Sequence, residues 1–383
     1  MQCQKKAFSL PEGVHYLNCA YKAPLLQAAE AACHQALLKE RNPIQITVDD
    51  FFDPVDDVRK EFAQLVHAQP KQIAIIPSTS YGFASVLINI QPKPGGHALT
   101  IEDEFPSGYF ALQRWCADNA NALVVVPAEQ EEMPGRGWNA AIINSITEHT
   151  SVVLLSSVHW MRGMQFDLEA IGRKCREVGA YFIVDGTQSV GVAPIQVVQC
   201  QIDALVCAAY KWLLGPYSLA LAYIGPAFYD GKPLEETWIN RNNSYNFAAL
   251  TQYDTTYTPQ AGRFNMGEVS NFILLPMLRE SLRFLNYWQP ERIETYCKRL
   301  GAPLLSYLKE IGITQEEPDY ASSHLIAIRL PDSIDSGALK QKLLESKVYI
   351  SVRGAYIRVG IHVFNEEKDI DALIAVLKSV LTS

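Results

Sequence analysis

Two short polar runs each follow an apolar one. Tyr181-Phe182-Ile183-Val184 leads into Asp185-Gly186-Thr187-Gln188-Ser189, and Ala204-Leu205-Val206-Cys207-Ala208 leads into Ala209-Tyr210-Lys211-Trp212. Apolar runs of this length read as buried strands. In an open parallel sheet the carboxyl ends of the strands line the ligand crevice, so Asp185, Gln188 and Lys211 are expected to face one site. An amine and a carboxylate placed this way suit one chemistry: the amine forms an imine with an aldehyde, and the carboxylate keeps a pyridine nitrogen protonated. A turn-forming Asp-Gly or a solvated lysine explains either residue alone. That reading must also account for Gln188 three residues past the acid and Tyr210 beside the lysine, and is the less favoured one.

Other segments carry polar chemistry at element ends. Pro77-Ser78-Thr79-Ser80-Tyr81-Gly82 joins a strand, Gln72–Pro77, to an apolar helical stretch, Phe83–Ile90. Its hydroxyls and free backbone amides form an anion cradle or a plain Ser/Thr helix cap. Glu104-Phe105-Pro106-Ser107 follows the strand ending at Glu102, and Phe105 is either a ring exposed to a ligand or a core residue. Trp160, after Val152–Val158, is placed to border the crevice. Its neighbour His159 is a weak acid/base or metal candidate because no second ligand accompanies it. Arg358 stands between Ile357 and Val359 on a strand, Tyr356–Ile361, so alternation turns it to the polar face. Arg353 is a second arginine of the same hairpin, with a surface salt bridge as its alternative.

These motifs resemble the class V aminotransferase family of fold-type I pyridoxal 5′-phosphate (PLP) enzymes, which includes cysteine desulfurases, kynureninases and isopenicillin N epimerase-like proteins. The resemblance spans nearly the whole chain. Its most specific part is the Asp185–Ser189 run with Lys211 lying 26 residues beyond Asp185, and Tyr210-Lys211 with Trp160, Gly163 and Asp167 is similar to kynureninase-like members. The resemblance implies an α/β, aspartate aminotransferase-like fold in which a large domain with a mostly parallel sheet carries a smaller α+β C-terminal domain. It implies that Lys211 holds PLP as a Schiff base, that Asp185 pairs with the pyridine nitrogen, and that Gln188 hydrogen-bonds the ring oxygen. Lys211 and Asp185 are then the catalytic residues. Phe105 is the stacking ring; Tyr210, with Ser78, Thr79 and Ser80, holds the phosphate. Arg358 clamps the substrate carboxylate, a task suited to its planar fork, with Arg353 as second candidate and Trp160 beside them. A homodimer is implied as well.

Two departures qualify the match. Relatives carry an Arg-x-x-x-Gly-Thr segment whose Thr reaches the phosphate of the other subunit, whereas here Arg263-Phe264-Asn265-Met266-Gly267-Glu268 puts a carboxylate at that position. Beside a phosphate dianion it would be repulsive. Either Glu268 points away, or Ser270 and Asn271 supply the contact. Cysteine desulfurases place a nucleophilic Cys in the C-terminal half, before the substrate-binding Arg, but no Cys follows Cys297 here, so that chemistry is disfavoured.

The elements that must position these residues follow from the pattern. The predicted strands are Gln72–Pro77, Ala98–Glu102, Ala122–Val126, Ser151–Ser156, Tyr181–Val184, Ala204–Ala208 and Leu219–Ile224, alternating with helices such as Asp167–Val178, begun by Asp167 and ended by Gly179. Asp230–Gly267 is polar, aromatic and turn-rich, and too long for an idle connection, so it is expected to carry binding or subunit contacts. Helices Asn271–Trp288 and Glu291–Glu310 lead to a strand at Ser323–Leu330, a helix Ser336–Ser346, strands Val348–Val352 and Tyr356–Ile361, and a closing helix near Glu366–Leu381. The expected division is a large domain, 15–268, and a small one formed by 1–14 and 269–383. At 383 residues and 48% hydrophobic the chain can bury a large core and a satellite.

A net charge of −8 without a basic run gives no footprint for nucleic acid or an anionic membrane. No stretch reads as a signal peptide or spanning helix. Eight scattered Cys without metal spacing point to free thiols in the cytoplasm and to no metal. No Gly-x-Gly-x-x-Gly turn supports a nicotinamide enzyme. The leading expectation is an aminotransferase acting on a small amino acid, with a keto acid as a candidate second substrate and the amino acceptor left open. A PLP-dependent lyase or epimerase is the close alternative, and a non-catalytic PLP-binding protein the more distant one.

Overall fold

The computed structural model describes residues 1–128, 133–331, 336–353 and 355–381. Its centre is a seven-stranded sheet in the order Ile73–Ile76, Ala220–Ile224, Ala204–Ala208, Tyr181–Asp185, Thr150–Ser156, His97–Ile101, Ala122–Val126. Ala220–Ile224 runs antiparallel to both neighbours, and the other pairings are parallel. Both faces are covered, and successive residues go to opposite sides: Ile73 and Ile75 join one apolar cluster while Ala74 and Ile76 join the other. Burial on two faces is why these strands are apolar without a break. All seven predicted strands are present, with ends shifted by a residue or two.

Helix Leu168–Val178 begins where expected: Asp167 accepts from Ala170 N at 2.9 Å, and Gly179 closes it at φ +67°. The helix after the first strand differs from expectation. It spans Thr79–Leu87, starting four residues before Phe83, because Ser78 Oγ caps Tyr81 N at 3.2 Å and draws the polar turn into the helix. Two N-terminal helices, Gln27–Glu40 and Asp49–Leu65, were not anticipated; both lie along Leu274–Trp288.

The stretch Asp230–Gly267 folds as short 3-10 turns that cover the sheet edge. Asn265 Oδ1 accepts from Ile75 N at 2.9 Å, and Met266 N donates to Ile75 O at 2.9 Å, satisfying backbone groups of the edge strand. In the C-terminal region Leu325–Arg329, Tyr356–Gly360 and Ser351–Arg353 form an antiparallel sheet. Val348–Tyr349 pairs in parallel with His15–Tyr16. Gly163, at φ +64°, lets the loop after Thr150–Ser156 meet this sheet closely: a Cβ there would lie 2.2 Å from Leu325 O.

Candidate active site

The cleft opens at the carboxyl ends of the parallel strands. It is lined by Thr79, Phe105, Ser156, Trp160, Asp185, Thr187, Gln188, Ala208, Tyr210 and Lys211. Seven of these are residues singled out from the sequence. Ser156, Thr187 and Ala208 were missed.

Asp185 ends its strand, and its Oδ1 accepts from Thr187 N at 2.9 Å. Thr187 Oγ1 in turn accepts from Ala208 N at 3.1 Å, so one threonine ties together the two strand ends that carry the acid and the amine. The Asp-x-Thr spacing was the available signal for it. Burial raises the Asp185 pKa, against the Thr187 hydrogen bonds and the charge of Lys211. Burial also lowers Lys211 to about 8, against Asp185 and helped by Arg358. Desolvation outweighs their mutual attraction on both sides, as expected for a buried acid and amine that are not in direct contact.

Lys211 Nζ lies 5.4 Å from the Phe105 ring and 5.8 Å from that of Tyr210. Phe105 is half-buried and meets Trp160 edge-on at 5.5 Å, so it is a cleft ring and not a core one. Gln188 is held through Trp212 Nε1, which donates to its Oε1 at 2.8 Å.

Of the cradle residues, Thr79 reaches the cleft. Ser78 serves as the helix cap and shares a 2.9 Å hydrogen bond with the exposed Ser80.

Arg358 is 2% exposed and sits behind Trp160. Its Nη1 donates to Trp160 O at 2.6 Å and its Nε to Ser351 Oγ at 3.0 Å. Among the described residues no carboxylate pairs with it. Burial pulls its pKa down to about 10, with Arg353 adding a like charge, so it stays a cation at neutral pH. Arg353 shares this face of the hairpin, because Ser351 pairs with Arg358 and Arg353 with Tyr356, but its Nη1 turns to Val352 O.

His159 plays a structural part. Its ring is buried, Nδ1 accepts from Met161 and Arg162 N, Nε2 meets Glu102 O at 3.2 Å, and burial drives its pKa to about 3. Glu268 is exposed, at φ +53°. Ser270 Oγ donates to Phe51 O, and Asn271 Oδ1 accepts from Leu274 N, so both are engaged internally. Among the described residues no group of three or more His, Cys, Asp or Glu could hold a metal, and no helix is long and apolar enough to cross a membrane.

A mostly parallel sheet with a lysine and a carboxylate at neighbouring strand ends defines an α/β protein with an amine and an acid in one cleft. The model of the family described as aminotransferase class-V matches residues 47–373. The chain belongs to the class V aminotransferase family, which is PLP-dependent. It is 25% identical to an uncharacterized aminotransferase of Bacillus subtilis (strain 168), covering 88% of this chain and 90% of the relative. It is 21% identical to a probable cysteine desulfurase of Pyrococcus abyssi, covering 86% and 83%. Among solved structures, a C-DES mutant with glycine covalently linked to its PLP cofactor superposes with a TM-score of 0.86 at 19% identity, covering 98% of this chain and 99% of that one. The fold is the fold-type I α/β fold.

Proposed function

We propose that the chain is a PLP-dependent aminotransferase of a small amino acid, with Lys211 as the attachment point. One observation carries the PLP part of this reading: a buried amine, Lys211, shares a cleft with a buried carboxylate, Asp185, and Trp160 of that cleft packs against Arg358, a buried cation with no acidic partner among the described residues. The aminotransferase part rests on the likeness to an uncharacterized aminotransferase. Burying an uncompensated guanidinium is costly, and an anionic ligand would relieve that cost.

The residues present fit the cofactor. Asp185 would hold a ring nitrogen and Gln188 a ring oxygen, Phe105 would cover a ring face, and Tyr210 with the helix start at Ser78–Thr79–Ser80 would receive a phosphate. When bound, PLP would supply an electrophilic aldehyde carbon and an electron-withdrawing ring. Asp185 would stay ionised despite its burial once paired with a cationic ring nitrogen. Lys211, with its pKa near 8, has an appreciable unprotonated fraction at neutral pH and can take a proton from the substrate α-carbon. Arg358 would bind the α-carboxylate and so hold the α-carbon near Lys211, with Trp160, whose carbonyl Arg358 holds, beside them.

A lyase or epimerase would use the same residues, so the outcome depends on where the proton is returned. Persulfide chemistry is disfavoured despite the cysteine desulfurase relatives, because the cysteines near Lys211, Cys19 and Cys207, are buried thiols whose pKa burial raises. A homodimer, with the Asp230–Gly267 stretch at the contact, and a cytoplasmic location for the eight unpaired cysteines complete the reading. The test is a screen of amino acids and keto acids that follows the absorption spectrum of the loaded protein. Reversible conversion by an amino acid and restoration by a keto acid support transamination. A released side-chain fragment or loss of chirality without keto acid demand would replace it with the alternatives.

A further inference from the structure

The loop that presents Phe105 is tied at three places to the segment that ends and follows strand Thr150–Ser156. His159 Nε2 meets Glu102 O at 3.2 Å, and Trp160 donates its indole N–H to Asp103 O at 2.7 Å. The third tie is Glu104, a 6% exposed carboxylate that the proposed chemistry does not use. Its Oε2 accepts from Ser156 N at 2.7 Å, and its Oε1 accepts from Phe105 N at 2.6 Å and from Ser156 Oγ.

The chain enters this loop through a tight turn, with Asp103 at φ +54°, a conformation strained for a residue with a side chain. It leaves directly into helix Pro106–Asp118. Such a turn persists only where its surroundings hold it. Burial raises Glu104 to about pH 7, against the Ser156 and Phe105 hydrogen bonds, so the chain keeps a costly group in this place.

We propose that Glu104 is a positioning residue for the cofactor: by locking the Phe105 backbone to Ser156, itself a cleft residue, it fixes the plane of the ring that stacks on PLP. This rests on the reading of Phe105 as the stacking ring. The carboxylate is suited to the task because it offers acceptors on both oxygens, to donors from the end of strand Thr150–Ser156 and from the start of helix Pro106–Asp118. An amide of the same shape would turn an NH2 toward one of those donors and lose that tie.

The test compares PLP dissociation constants, measured by fluorescence quenching as PLP is added to stripped apoprotein, for wild type, Glu104→Gln, Phe105→Ala and the double variant. Apoprotein melting serves as the fold control, and peptide mapping establishes attachment at Lys211. Glu104→Gln should weaken PLP about tenfold when Phe105 is present and less than about twofold when residue 105 is alanine, because the two act as one unit. Glu104→Asp, which keeps both acceptor oxygens, replaces Gln in the cycle if the amide does not fold. Unchanged affinity, or an equal loss in both backgrounds, would overturn the role of Glu104 and leave the site reading standing. Wild-type protein that does not take PLP at Lys211 would overturn the site reading first, and the role of Glu104 with it.

Discussion

Trp212 donates its indole N–H to Oε1 of Gln188 at 2.8 Å, while Nε2 of the same amide lies 3.3 Å from Ala20 O. An indole nitrogen only donates, so chemistry assigns the oxygen of Gln188 to Trp212 and leaves an amide hydrogen for the cleft. Gln188 should therefore act as a donor toward a ligand in the cleft. Gln188→Glu keeps the acceptor for Trp212 and removes that donor. A lost buried hydrogen bond costs about 1–3 kcal/mol, so PLP affinity should fall about tenfold and the visible band of the loaded protein should shift. Wild-type affinity with an unshifted band would show that Gln188 does not face the ring oxygen.

Lys211 should be the site of attachment, and its reactivity should follow its pKa. The unprotonated amine captures an aldehyde, and burial lowers the ammonium to about 8 against the pull of Asp185. The uptake rate of PLP by apoprotein should therefore rise with pH and level off above about pH 8, well below an ordinary lysine near about 10.4. Hydride reduction followed by peptide mapping should find PLP on Lys211, and Lys211→Ala should abolish covalent labelling. Labelling elsewhere, or a rate still climbing at about pH 10, would count against the assignment.

The strands and the ends that carry Asp185 and Lys211 were legible because double burial leaves long apolar runs and the chain becomes polar where it enters the cleft. Helix Gln27–Glu40 was not legible: it buries little beyond Ala29 and shows no clear apolar stripe. The start of Thr79–Leu87 was misread because its first turn is polar and is set by the Ser78 cap, not by hydrophobic period. The roles of Ser156 and Glu104 depend on a contact across 52 residues, which local spacing does not encode. Arg358 could be read as polar-facing, but its burial behind Trp160 could not, since that depends on the approach permitted at Gly163.

The cysteines should take no part in turnover. Cys19 and Cys207 are buried thiols held protonated by desolvation, and Cys297, the last in the chain, is buried in helix Pro290–Glu310. Incubation with L-cysteine should give no catalytic sulfide release and no persulfide adduct by intact mass. Robust sulfide production abolished by replacing one cysteine would place a nucleophile that the site described here lacks.

Association should be dimeric. Trp238, Tyr245 and Tyr253, 41%, 53% and 83% exposed within the turn-rich stretch, are the rings proposed to meet a second copy. Sedimentation of the PLP-loaded protein should give twice the chain mass, and charged substitutions at Trp238 and Tyr253 should shift it toward monomer. A monomer with full activity would refute both the dimer and the use of this face.

Arg358 should govern substrate affinity and not cofactor retention. Its Nε and Nη1 are committed to Ser351 Oγ and Trp160 O, which fixes the guanidinium plane and leaves the Nη2 donors for a ligand. A charge-assisted contact to a carboxylate is worth about 1.5–3 kcal/mol, so Arg358→Ala should lower kcat/KM at least about tenfold while PLP stays bound. Arg358→Lys keeps a cation but not the fork, and should recover only part of the loss. It also guards against the alternative that alanine merely loosens Trp160, since a lysine restores charge without restoring both tethers. Arg353→Ala removes a like charge whose presence lowers the Arg358 pKa, and its effect should be small. Wild-type kinetics for Arg358→Ala, together with lost substrate binding for Arg353→Ala, would move the carboxylate clamp to Arg353.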